Sequence, residues 1–188
     1  MANKFTYQVL RDTTTDAVIK LTGTFDGSGN EANNQRIQAN TLYGALATNG
    51  YPVANTQVGG IANTPLSLYN VQLTGCKYFI NFPATTPLGS VELFWNGGGT
   101  TAAAQYANSA TIFHLNAQGE FGLGEQLPAI YNNASGGNGD IGVYTQGGSA
   151  NSAYTLIVTL RKDNAQYQRG QFNDPAAFNY GQYALTPR

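Results

Sequence analysis

A chain of 188 residues is long enough to bury one sizeable core, and this one carries only 10% charged residues, a net charge of −1 and a single cysteine. Its nine Lys and Arg are scattered along the sequence, which sets aside nucleic-acid binding, since phosphate partners need a basic patch. No apolar run approaches the ~20 residues of a membrane-spanning helix, Cys76 has no partner for an internal disulfide, and Met1-Ala2-Asn3-Lys4-Phe5 opens without a secretory apolar stretch, so synthesis in a reducing cytoplasm is expected.

Strand signals follow in chain order. Ala17-Val18-Ile19-Lys20-Leu21-Thr22-Gly23 alternates apolar and polar and reads as a strand that ends at its glycine. Asp26-Gly27-Ser28-Gly29-Asn30 reads as a Gly-rich hairpin turn. Residues 41–48 read as a turn or two of helix at most. Leu66-Ser67-Leu68-Tyr69-Asn70-Val71-Gln72-Leu73 alternates again, and residues 77–82 are a further strand candidate. Val91-Glu92-Leu93-Phe94-Trp95 puts Val91, Leu93 and Trp95 on one face, which makes Trp95 the expected core anchor between sheets. Residues 110–115 and 140–145 continue the series. The clearest strand is Tyr154-Thr155-Leu156-Ile157-Val158-Thr159-Leu160-Arg161, with Tyr154, Leu156, Val158 and Leu160 facing a core.

Many short strands joined by Gly, Asn and Pro predict a mainly β domain over residues 1–162, an antiparallel β-sandwich of jelly-roll or immunoglobulin-like type. Periodicity does not write strand order, so both topologies stay open. Alternation then stops. Residues 163–188 keep Tyr167, Phe172, Phe178, Tyr180 and Tyr183, more aromatic character than a disordered tail carries. They are expected to form an extended C-terminal arm whose aromatics touch a neighbouring subunit, the alternative being an arm lying on its own domain. Asp174-Pro175 supplies N-cap and first-turn chemistry for a short helix within it.

Chemistry is sparse. His114 is the one histidine, so any Ser-His-Asp or Cys-His site would have to use it; within Ile112-Phe113-His114-Leu115 it reads as an ordinary sheet residue. One His and one Cys leave too few ligands for zinc, and Cys76 reads as a small buried apolar residue. Glu120 and Glu125 lie close in sequence, but a carboxylate pair without a spacing rule is a weak glycosidase signal. The Asp26 loop has oxygen ligands at alternate positions, yet the twelfth position is Ile37 where an EF-hand needs Glu. No catalytic residue, metal or cofactor is expected. Tyr131 and Tyr144, near Gly and Asn loops, could stack on sugars, which keeps carbohydrate binding as the main alternative to a structural role.

Several segments together resemble small virion proteins of marine tailed bacteriophages, of the cyanophage and pelagiphage kind. They are Arg11-Asp12 through Gly23, Asp26 through Glu31, Val91-Glu92-Leu93-Phe94-Trp95-Asn96-Gly97, Gly139-Asp140-Ile141, and Tyr154 through Asp163 followed by Gly170-Gln171 and Asp174-Pro175-Ala176-Ala177-Phe178-Asn179. Each is short; their order along the chain carries the resemblance. It implies a capsid decoration (cement) protein without enzymatic activity, located on the outer surface of the virion head and made in the host cytoplasm. The partners implied are the major capsid protein and further copies of this chain, a trimer being one arrangement, with neither nucleic acid nor membrane. The stretch from Tyr180 to Arg188 extends past the family's usual end. The competing expectations are a carbohydrate-binding or host-recognition virion module on head or tail, and a depolymerase-like enzyme using Glu120 or Glu125.

Overall fold

The computed structural model describes residues 3–43, 45, 71–83, 89–97, 101–122, 130–131 and 139–162. The chain runs β1 (Lys4–Asp12), β2 (Asp16–Thr24), β3 (Ala32–Ile37), a 3-10 turn (Ala39–Thr41), β4 (Val71–Asn81), β5 (Ser90–Trp95), α1 (Ala102–Ala107), β6 (Ala110–Leu115), β7 (Gln118–Phe121), β8 (Ile130–Tyr131), β9 (Ile141–Gln146) and β10 (Ala153–Lys162).

These strands form two antiparallel sheets. The larger has the order β1-β2-β10-β4-β7, with β8 beside β4; the smaller has the order β3-β9-β5-β6. The pairing is nested. β5 pairs with β6, β4 with β7, β3 with β9 and β2 with β10, as in one long hairpin; β10 then also lies against β4 and β9 against β5, so the hairpin is rolled onto itself.

Alternation decides which side chains enter the core. Ala17, Ile19 and Leu21 of β2 and Leu156, Val158 and Leu160 of β10 are fully buried, while Val18, Lys20, Thr155 and Thr159 stay half-exposed on the other face. From the smaller sheet Val91, Leu93, Trp95, Ile141 and Val143 join the same cluster. Full burial of each large aliphatic chain contributes roughly 1.5–3 kcal/mol, so this shared cluster is the main force holding the sheets together. β5 departs from simple alternation. Glu92 and Phe94 are buried as well, because α1 covers the outward face of the smaller sheet.

Several local expectations need correction. β2 does not stop at Gly23 but runs on to Thr24; glycine stands there because the Tyr154 ring lies where a Cβ would be, 2.2 Å from its nearest ring carbon. The Asp26 loop is not a hairpin turn. It carries the chain from β2 in one sheet to β3 in the other, pinned by Phe25 N–H to Ser152 O (2.9 Å) and Gly148 N–H to Asn30 Oδ1 (2.8 Å). β1 and α1 were both legible but not anticipated. Phe5, Tyr7 and Val9 alternate in β1, and Thr101 caps α1 by accepting from Ala104 N–H (3.2 Å) ahead of an alanine run. Of the stretch 41–48 only the 3-10 turn and Leu42, Tyr43 and Ala45 are described, and residues 66–70 of the predicted Leu66–Leu73 strand lie outside the described residues.

Candidate functional site

Titratable and aromatic groups gather on the outward face of the smaller sheet. The register sets Tyr144 of β9, Glu92 of β5 and His114 of β6 side by side. Tyr106 of α1 closes over them, stacked on Tyr144 (centroids 4.8 Å apart) and edge-on to Phe94 (5.0 Å). Its hydroxyl donates to Glu92 Oε2 at 2.8 Å, and Thr111 donates to Oε1 at 2.6 Å. Burial, aided by the hydrogen bond and charge of Glu92, pushes the Tyr106 hydroxyl up to about 12. His114 Nε2 stands 4.0 Å from Glu92 Oε1 and is well exposed.

Glu92 is only 5% exposed and each of its oxygens accepts from a hydroxyl, so little of the carboxylate faces solvent. Its effect is to clamp α1 onto the sheet. Sequence reasoning flagged His114 and Tyr144 separately and missed Glu92 and Tyr106. The available signal was a lone Glu inside an otherwise apolar strand.

The other candidates are apart from one another. Glu120 lies on β7 opposite Lys77, 3.8 Å from its ammonium, and Glu125 lies outside the described residues. Asp26 Oδ1 accepts from Ser28 N–H (2.9 Å), and its hydrogen bonding to Ser28 holds the carboxyl below its ordinary value. No group of three or more metal-capable side chains occurs among the described residues. Cys76 is buried on β4, and burial pushes its thiol up to about 12, so it stays a thiol at neutral pH. Trp95 is fully buried beside Val91 and Leu93. The side chain of Tyr131 and all of Tyr167, Phe172, Phe178, Tyr180 and Tyr183 lie outside the described part.

Two polar centres sit inside the domain. Glu31, fully buried, accepts from the Tyr154 hydroxyl (2.9 Å), and its backbone is bracketed by Thr145 through two hydrogen bonds (2.8 and 3.1 Å). Burial drives the Tyr154 hydroxyl far above its ordinary value of 10.0, with the Glu31 charge and hydrogen bond adding to it. At the other end of β10, the Lys162 ammonium is ion-paired with Asp12 and donates to the carbonyls of Thr13 (2.7 Å) and Tyr43 (2.9 Å).

What stands open is the edge strand β1. Among the described residues it pairs with β2 alone, and Tyr7, Val9 and Leu10 are 41%, 46% and 48% exposed. Tyr7 and Val9 lie on the core-facing side, opposite Leu21 and Ile19, beyond what the smaller sheet covers; Leu10 is the extra residue of a bulge. A long edge strand with exposed apolar residues is what monomeric proteins avoid and assembling ones use.

No protein-family model, curated protein or solved structure matches the chain. What the fold itself defines is a mainly β protein of two antiparallel sheets around one core.

Proposed function

We propose that this chain is a virion structural protein, a decoration or cement protein that binds the major capsid protein on the outside of a tailed-phage head, associates with further copies of itself, and stabilises the shell. The observation that carries the reading is the uncovered apolar edge of β1 on a domain with little charge. The order of the segments that resemble marine-phage virion proteins supports it. So does the topology: we read the nested, rolled hairpin as a jelly roll, an architecture that recurs in viral capsid and lectin domains. That last support is fold-level analogy.

The role is read as non-catalytic because Glu92, the carboxylate best placed for chemistry, has both oxygens engaged. The glycan-binding alternative needs an exposed Trp or Tyr platform. Trp95 is internal and Tyr144 is stacked under Tyr106, so neither of these two rings supplies it. Residues 163–188 are read as the arm that brings Tyr167, Phe172, Phe178, Tyr180 and Tyr183 to a neighbour, since buried aromatic anchors dominate interface energies.

The reading is tested by heating. Shells of the encoding phage, stripped of accessory proteins, are melted with and without the purified chain. The expected result is a transition several degrees higher with the chain bound; identical transitions at saturating protein count against a cement role.

A further inference from the structure

The cations that look scattered in the sequence converge in three dimensions. Strand register puts Lys4 and Arg11 of β1, Lys20 of β2, Arg161 of β10 and Lys77 of β4 on the outward face of the larger sheet. Among the described residues only Asp16 and Glu120 share that face; five cations against two carboxylates leave an excess of three positive charges there, in a chain whose net charge is −1. Of the other described acids, Glu31, Glu92 and Asp140 are buried, Asp12 is turned inward to Lys162, and Asp26 lies in the loop after β2. Arg11 pairs with Asp16 (2.8 Å) and Lys77 reaches Glu120 (3.8 Å), while Lys4 and Lys20 have no carboxylate partner among the described residues.

The face is flat and open. Thr6, Thr22 and Thr155 stand side by side across three strands, next to a row in which Ile157 lies between Lys20 and Lys77. Every residue of these rows is half-buried or exposed, so no other described element covers it. Four strands of nine to eleven residues ~4.8 Å apart, with the four-residue β7 beside them, span at most roughly 19 by 30 Å. That is roughly 570 Å², about two-thirds of the ~800 Å² that each partner contributes to a standard stable interface.

We infer that this face docks on an acidic, folded protein surface. The inference rests on the decoration reading in one respect, that the acidic surface belongs to the phage shell. Charge complementarity selects the sign of the partner. Its class follows from the rest of the face. Polyphosphate binding wants a dense cation stripe and free aromatic faces for bases. Here three surplus charges are spread over the whole sheet, and Phe79, the exposed ring on this face among the described residues, already has the Lys77 ammonium over it at 5.9 Å. Threonine hydroxyls, Val18 and Ile157 between the cations suit the carboxylate, amide and aliphatic groups of a protein surface instead.

The test uses the full chain against three probes: a carboxymethylated biosensor surface, a single-stranded DNA oligonucleotide, and the stripped shells. The variants are Lys20→Glu/Lys77→Glu, the milder Lys20→Gln/Lys77→Gln in case charge reversal beside Glu120 impairs folding, and Ala103→Glu on α1 as a control on the opposite outer face. The wild-type chain is expected to bind the carboxylate surface at low salt and weaken as salt screens it. The paired substitutions lower affinity for carboxylates and shells at least tenfold with an unchanged melting curve, and Ala103→Glu matches wild type. Equal binding by wild type and the Lys20/Lys77 variants overturns the assignment. So does tighter binding to the oligonucleotide than to carboxylates, which would name a nucleic-acid partner. Carboxylate binding through this face without shell binding supports the acidic-surface assignment and sinks the decoration reading; shell binding that ignores the substitutions does the reverse.

Discussion

Trp95→Ala lowers unfolding free energy by ~3–5 kcal/mol, the cost of emptying a large, fully enclosed aromatic site. Trp95 is the last residue of β5, a strand held between β9 and β6, and none of its surface is exposed. Its neighbours are fixed by two hydrogen-bonded sheets, so they collapse into the void poorly. At this chain length the loss shifts the melting temperature by about 6–20 °C. Thermal unfolding followed by circular dichroism reads it directly, and an unshifted curve would remove Trp95 from the core. Trp95→Phe is the informative companion. The indole Nε1 has no hydrogen-bond partner among the described residues, so phenylalanine keeps a ring and discards an unsatisfied donor. It should cost clearly less than alanine.

Lys162→Ala should destabilise by a similar amount, ~3–5 kcal/mol, for a different reason: it strands a partly buried carboxylate. The lysine side chain is fully buried, and it satisfies Asp12 and the carbonyls of Thr13 and Tyr43 together. It ties the end of β10 to the β1–β2 turn and to the chain beyond β3. The pH dependence follows from the direction of its shift. Burial lowers the Lys162 pKa below 10.5, with the hydrogen bond and charge of Asp12 pulling it partly back. Between that lowered value and 10.5 the unfolded chain holds more protons than the folded one, so this group's contribution to stability rises with pH in that window. The gap between wild type and Lys162→Ala should therefore widen as pH approaches 10.5 in urea titrations. A gap that is small at neutral pH and flat would show that the ammonium is hydrated rather than enclosed.

What the sequence made legible was local. β10 and β2 were readable because their alternation is strict and both are half-buried strands of an antiparallel sheet. β5 was found, but its burial on both faces was not, because the cover comes from a six-residue helix whose Tyr106 is remote in sequence from Glu92. Gly23 looked like a stop and is instead a gap filled by the Tyr154 ring, 131 positions away. Strand order lay beyond reach for the same reason: the nested pairing depends on contacts such as β2 with β10, which no periodicity encodes.

The candidate surfaces divide the same way. The alternation of Phe5, Tyr7 and Val9 is visible in the sequence, yet only the sheet order shows that, among the described residues, β1 is an edge strand on which Tyr7 and Val9 stay exposed. The basic face was invisible in sequence. Lys4, Lys20, Lys77 and Arg161 are far apart along the chain, and each looks like an ordinary polar position of its own strand until register aligns them. The acids that would balance them are spent inside the fold, on Tyr154, Tyr106 and Lys162.

The central claim is shell binding, and the most direct measurement is co-sedimentation of the purified chain with stripped shells, with and without residues 163–188. The account predicts saturable binding at a stoichiometry set by the capsid lattice, and a marked loss of affinity when 163–188 are removed while the β domain stays folded. Absence of binding by the full-length chain would contradict it and move the protein to a tail-associated or glycan-binding role.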